Sequence, residues 1–210
     1  MSQHHLRGRR ILWAVLLALC AAGITVGAGL AQAKQYPFDL VRSSSAEAAN
    51  CLSTASGHAT VTEVGLVEML DLAVSNLAPN TTYSVFVIQV PDKPFGIGWY
   101  NGEIQTDAYG SGKQTFIGRF NTETFAIAPG AAPAPVVHPN PPNPDATTNP
   151  AFGPVHTFHL GVWFSDPADA AKAGCTNAVT PFDGDHVAGI QMLSTRNFPV
   201  DAGPLKQVVP

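Results

Sequence analysis

From residue 59 to residue 120 the chain keeps a hydrophobic rhythm of period two, broken by turn signals about every ten residues. Residues 59–64 alternate. Residues 66–77 alternate too, with Leu70, Leu72 and Val74 on one face and Asp71 and Ser75 on the other. Residues 82–88 follow a Pro79-Asn80 turn. Residues 102–106 and 114–120 flank a loop, residues 107–112, whose Gly110 and Gly112 can supply positive φ. Residues 156–164 and 186–193 complete the set. Alternate side chains of a strand point to opposite faces, so each segment has an apolar face that must be buried against another. The expected fold is an all-β antiparallel sandwich.

Helix is scarce. Residues 167–173 are one candidate: Asp166 can cap it, Pro167 suits the first position and Gly174 can close the far end. Ser44-Ser45-Ala46-Glu47 has capping-box spacing and predicts a second short helix before Cys51.

The N-terminus reads differently. Three arginines and no acid precede the apolar run Ile11 to Leu30, and Ala31-Gln32-Ala33 supplies a small-x-small site. This is the tripartite pattern of a signal peptide, with cleavage after Ala33. The alternative is an uncleaved anchor, since about 20 apolar residues suffice to span. Gly23, Gly27 and Gly29 weaken that helix, and no basic cluster follows it. The expected organisation is a signal peptide over 1–33 and one sandwich domain over 34–210. The expected location is extracellular, or the cell envelope if the segment is retained.

Without residues 1–33 the chain keeps eight basic and fifteen acidic residues, a formal charge of −7. Nucleic-acid phosphates and anionic lipid call for a basic surface, so both are set aside as partners. Only Cys51 and Cys175 remain. Two cysteines in an exported chain usually pair, and the spacing matches no zinc motif. Residues 129–154 hold nine prolines and no strand pattern. They read as a long extended surface loop inside the domain, because the disulfide ties the two sides together.

Leu77-Ala78-Pro79-Asn80-Thr81-Thr82-Tyr83-Ser84-Val85-Phe86-Val87 resembles the strand corner of fibronectin type III domains. That resemblance implies a tyrosine, Tyr83, whose hydroxyl closes a corner between two sheets. Residues 66–120 also resemble the Greek-key sandwiches of the Cu/Zn superoxide dismutase type, with Gly102 to Gly112 as the later hairpin. There the strand after the turn carries metal-ligand histidines. Here it reads Tyr83-Ser84-Val85-Phe86-Val87. The resemblance implies an immunoglobulin-like or Greek-key architecture, and neither a metal site nor dismutase activity.

The chemistry is sparse. On the period of two, His156 lines up with Leu160, Val162 and Phe164, while His159 lines up with Trp163 on the other face. His159 and His186 are candidate copper or zinc ligands, provided the fold brings them together. Asp183-Gly184-Asp185-His186 offers acids two apart, short of the oxygens a calcium loop needs, and Asp-Gly is first a turn signal. Ser56-Gly57-His58 sets a serine near a histidine, which is not a triad. No nucleophile elbow or zinc-protease motif is present. Trp99, Tyr100 and Trp163 are candidate ligand-facing aromatics, able to stack on sugars or on partner side chains. The leading expectation is a secreted, non-catalytic module, without cofactor, that binds a glycan, a cell-surface component or a protein. A histidine-based metal-binding protein and an enzyme of unassigned class are the alternatives.

Overall fold

The computed structural model describes residues 33–122, 124–129, 152–181 and 187–209. The strands are β1 (Gln35–Arg42), β2 (Ser56–Val64), β3 (Val67–Ser75), β4 (Thr82–Ile88), β5 (Gly98–Gln105), β6 (Gly112–Gly118), β7 (Phe125–Pro129), β8 (Phe152–His156), β9 (His159–Phe164) and β10 (Gln191–Ser194). Two short helices, α1 (Ser44–Ala48) and α2 (Pro167–Lys172), and a 3-10 turn, Pro204–Gln207, complete the described elements.

Eight strands are hydrogen-bonded in the order β5-β4-β9-β10-β1-β2-β3-β6, every pair antiparallel. β1 belongs to two sheets. Residues 35–40 pair with β2, and Val41 and Arg42 pair with β10. The first sheet is therefore β1-β2-β3-β6 and the second β1-β10-β9-β4-β5. β4 and β5 form a hairpin, and β6 then returns to lie beside β3, which is a Greek-key connection. The two sheets bury one core between them. Leu40, Val61, Leu70 and Leu72 come from the first sheet, and Val85, Ile104, Val162 and Leu193 from the second.

The alternation read in residues 66–77 is the burial pattern of β3, with Leu70, Leu72 and Val74 inside. Glu68 is in phase with them and is buried as well. Its carboxylate accepts hydrogen bonds from the Phe120 N–H (2.7 Å) and the Asn121 amide (2.9 Å), and the Arg119 guanidinium lies 3.6 Å away. A buried carboxylate persists only with such partners. Here they fix the bend where the chain leaves β6.

Three expectations need correction. β1 was not foreseen, because residues 35–42 include Pro37 and Asp39 and do not alternate cleanly. Pairing with β2 along residues 35–40, then with β10 at Val41 and Arg42, supplies what propensity lacks. Part of the proline-rich loop is a ladder: β7 pairs with β8, including Pro129↔Phe152 and Ile127↔Pro154. The rest of that segment lies outside the described residues. In the loop before β6 only Gly110 has positive φ (74°). Gly112 is needed for space instead, since a Cβ there would sit 2.6 Å from the Gln105 carbonyl oxygen.

Both helices form where expected, with one shift. Asp166 caps α2 through the Ala168 N–H (2.7 Å). α1 is capped by Ser43 and not Ser44: the Ser43 Oγ accepts from the Ala46 N–H at 3.0 Å. The two helices end alike. A left-handed residue, Asn50 in one and Gly174 in the other, precedes each cysteine. The N–H of Cys51 returns to the Ala46 carbonyl and that of Cys175 to the Ala170 carbonyl, both at 2.9 Å. These Schellman-type closures deliver the two sulfurs to each other, and the disulfide forms with 5.0 Å between Cα atoms.

Tyr83 is fully buried, and its hydroxyl accepts a hydrogen bond from the Ala78 N–H at 2.8 Å. Burial pushes its phenol pKa up, so it stays neutral. This is the backbone contact of Tyr83 that the resemblance over Leu77 to Val87 implied.

Candidate functional site

The outer face of the second sheet carries two of the aromatic candidates, Trp163 and Tyr100, and it is covered around Trp163. Phe86, Ile88, Phe95, Trp163 and Ala188 form a second buried cluster there, separate from the main core. Residues 89–97 fold back over the sheet, held by the Gln89 N–H to the Ile97 carbonyl (2.8 Å) and the Val90 N–H to the Phe95 carbonyl (2.9 Å). The Phe95 ring stands edge-on to Trp163, with centroids 5.2 Å apart, and Phe86 packs on the same indole at 5.4 Å.

Trp163 is therefore fully buried and does not face a ligand at this surface. The sequence places it correctly on the face opposite Val162 but cannot show that a loop roofs that face. Trp99 and Tyr100 occupy adjacent positions on β5 and point to opposite sides. Trp99, opposite Val87, packs against the main core; Tyr100, opposite Phe86, is 51 % exposed. Of the three aromatics only Tyr100 meets solvent substantially.

His159 is fully buried too. Its Nε2 lies 3.0 Å from the Val200 carbonyl and its Nδ1 2.9 Å from the Thr195 hydroxyl. A carbonyl only accepts, so Nε2 carries the proton and Nδ1 accepts from Thr195. That hydroxyl oxygen in turn accepts from the Leu160 N–H (3.1 Å). Both ring nitrogens are occupied, so His159 is a structural crosslink to the C-terminal segment and not a metal ligand. His186, Asp183 and Asp185 lie outside the described residues. His156 Nδ1 meets the Thr124 carbonyl at 3.3 Å, and its ring stacks on Phe158. Among the described residues no three His, Cys, Asp or Glu side chains converge as a metal site.

Burial lowers the His159 pKa below its ordinary value, against the smaller opposing effect of its hydrogen bonds. In the unfolded chain the imidazole titrates near 6.5. Below that pH the unfolded state binds a proton that the folded state refuses, so stability falls as the pH falls. The slope from this one group is at most about 1.4 kcal/mol per pH unit, beginning near pH 6.5 and ending at the lower folded pKa. His159→Gln should flatten that part of a stability–pH profile measured by urea denaturation. An unchanged profile would place the titration elsewhere.

Among the described residues no segment covers the outer face of the first sheet, a face to which the sequence assigned no site. Register sets Asp39, His58, Ala73 and Lys113 in one row across β1, β2, β3 and β6. The neighbouring row is Pro37, Thr60, Asp71 and Thr115. Adjacent members of a row are about 5 Å apart, and the rows are about 7 Å apart. Ala73 is the shortest side chain between long neighbours, so the face dips over it. The resulting depression, about 510 Å³, is lined by His58, Thr60, Asp71, Ala73, Lys113 and Thr115 among others.

Its polar groups are oriented in advance. His58 Nδ1 lies 2.7 Å from Asp39, and the Thr115 hydroxyl donates to Asp71. The His58 bond runs across the strands to Asp39 and not along its own strand to Ser56. Lys113, directly across from Ala73 on β6, adds a cation to the same face. Such a face can offer donors and acceptors of both charge signs to a polar ligand. The alternation gives these residues as the polar side of each strand, but only register brings them into one patch.

Comparisons with family models, with curated proteins and with solved structures found no match, so the functional reading rests on the geometry of this chain.

Proposed function

We propose that the protein is an exported, non-catalytic binding module that presents the outer face of its first sheet to a polar ligand outside the cytoplasm. One observation carries the reading. The second sheet's outer face is roofed around Trp163 by residues 89–97, whereas among the described residues nothing covers the charged depression over Ala73. Side chains held on paired strands are fixed with little residual freedom, so a ligand loses little free energy to ordering them. The mix of hydroxyls, carboxylates and an ammonium suits a glycan or a polar cell-surface group. The Cys51–Cys175 disulfide and the N-terminal signal pattern support export. Among the described residues no helix is long and apolar enough to cross a membrane. The Greek-key connection supports the sandwich resemblance at the level of architecture, and β4 carries Tyr83, Val85 and Val87 into the core in place of ligands.

The test is a binding screen of labelled protein on immobilised glycans and cell-wall polysaccharide, repeated with Ala73→Trp. Ala73 faces outward, so the indole fills the depression without entering the core. Retention on at least one surface is expected, with affinity at least about tenfold weaker in the variant, or 1.4 kcal/mol. Retention unchanged by Ala73→Trp would remove this face as the site. Failure to bind any surface would defeat the reading altogether.

A further inference from the structure

Along the outer face of the first sheet, polarity changes in one direction on three strands at once. The outward side chains of β2 run from His58 and Thr60 to Val64. Those of β3 run from Asp71 to Met69 and Val67. Those of β6 run from Lys113 and Thr115 to Ile117. Register aligns the three series: Asp71 lies between Thr60 and Thr115, Met69 lies opposite Ile117, and Val64 lies opposite Val67. One end of the face is therefore the charged depression, and the other end is apolar.

The apolar end meets solvent. Ile117 is 71 % exposed, Val64 and Val67 are exposed as well, and Leu66, in the turn between them, is 86 % exposed. Single exposed apolar residues are ordinary, but several gathered at one end of a face mark a contact surface. They occupy one side of the hairpin only. Glu63, in phase with the core residue Val61, accepts from the Tyr36 hydroxyl at 2.6 Å and lies 3.8 Å from the Lys34 ammonium. A bilayer receiving this end of the domain would take that ion pair out of water, which is costly. An occupant lying along the outer face leaves the pair solvated.

The geometry points to a single-chain amphiphile as the ligand of this face, its glycosyl head in the depression over Ala73 and its hydrocarbon chain along Met69, Ile117 and the Val64–Val67 pair. This rests on the reading of the depression given above and adds the apolar half of the ligand. The head meets hydroxyls and charges that can pair with its own hydroxyls. The chain meets only carbon and the thioether of Met69, which adapts its shape to an apolar neighbour. From Asp71 to Val67 the strand advances roughly 14 Å, comparable to an extended decyl chain. A plain glycan would leave the apolar end in water, and a fatty acid alone would leave the depression unfilled.

The experiment titrates the purified protein by calorimetry with decyl maltoside, kept below its micelle concentration, and separately with maltose. Decyl maltoside should bind at least about tenfold more tightly, because the chain buries methylenes that maltose lacks. Ile117→Asp, at an exposed position outside the core, should remove that advantage, and Ile117→Leu should keep it. Ala73→Trp should weaken both ligands. Equal affinity for the two ligands would overturn the inference and leave the polar-ligand reading standing. An advantage that survives Ile117→Asp, or no binding of decyl maltoside, would also overturn it. If Ala73→Trp changes neither affinity, the depression is not the head site, and both readings fall. Sedimentation of the protein alone and with phosphatidylcholine vesicles covers the other occupants. A dimer, or retention on vesicles, that Ile117→Asp abolishes while decyl maltoside fails to bind would give the apolar end to a second copy or to a bilayer instead.

Discussion

Reducing the Cys51–Cys175 bond should lower the stability of the folded domain by about 5 kcal/mol, the largest single effect expected in this molecule. The two cysteines are 124 residues apart, and strands β2 to β9 lie between them. In the chain-entropy model a closed loop of that size restricts the unfolded ensemble by about 5 kcal/mol. Cys51 is also part of the main core, at 2 % exposure, so the sulfur has packing neighbours to lose on replacement. Reduction without substitution isolates the crosslink from that packing. Domain stabilities are typically about 5–15 kcal/mol, so reduced protein should sit close to its unfolding threshold. With a urea slope of about 2 kcal/mol/M, the midpoint should fall by about 2.5 M. Coincident urea curves for oxidised and fully reduced protein would show that the bridge contributes no stability.

Truncating Tyr83 should cost nearly as much. Its ring is fully buried between the sheets and lies 4.7 Å, centroid to centroid, from that of Phe164. Tyr83→Ala removes the ring, leaves a cavity and strips the Ala78 N–H of its acceptor. The expected loss is about 3–5 kcal/mol, by comparison with other buried aromatic truncations. Tyr83→Phe keeps the ring and removes only the acceptor. The Ala78 N–H then stays buried and unpaired, which costs about 1–3 kcal/mol. The ratio between the two variants separates packing from corner closure. Equal losses would assign the whole effect to the hydrogen bond, and no loss in either would exclude Tyr83 from the core.

Much of the framework was legible because it is local. The α2 cap needs only Asp166 and Pro167 beside a short run of alanines. The β3 alternation needs only the period of a strand. The Tyr83 corner depends on residues five apart, Ala78 and Tyr83, joined by one turn. The disulfide followed from cysteine number and the expectation of export. β1 was not legible, since Pro37 and Asp39 mask its pattern and its pairing partners lie far along the chain.

The sites were hardly legible at all. The sequence marks His159 and Trp163 as belonging to the face away from Leu160 and Val162, and that assignment is correct. It does not show that residues 89–97 and the C-terminal segment lie over that face, which turns two candidate ligand-facing groups into buried ones. Gln191 carries no motif and reads as one polar residue among apolar neighbours, yet its amide ties β10 to the covering loop at Pro91. Asp39, His58, Ala73 and Lys113 come from four strands and meet in one row only through register.

The sequence by itself determined the strand period, the α2 cap, the corner tyrosine and the crosslink, because each depends on neighbours a few residues away or on composition. Tertiary structure alone decided which outer face is covered, and which is open among the described residues. Coverage depends on contacts between segments a hundred residues apart, such as Pro91 with Gln191, and no local periodicity encodes them.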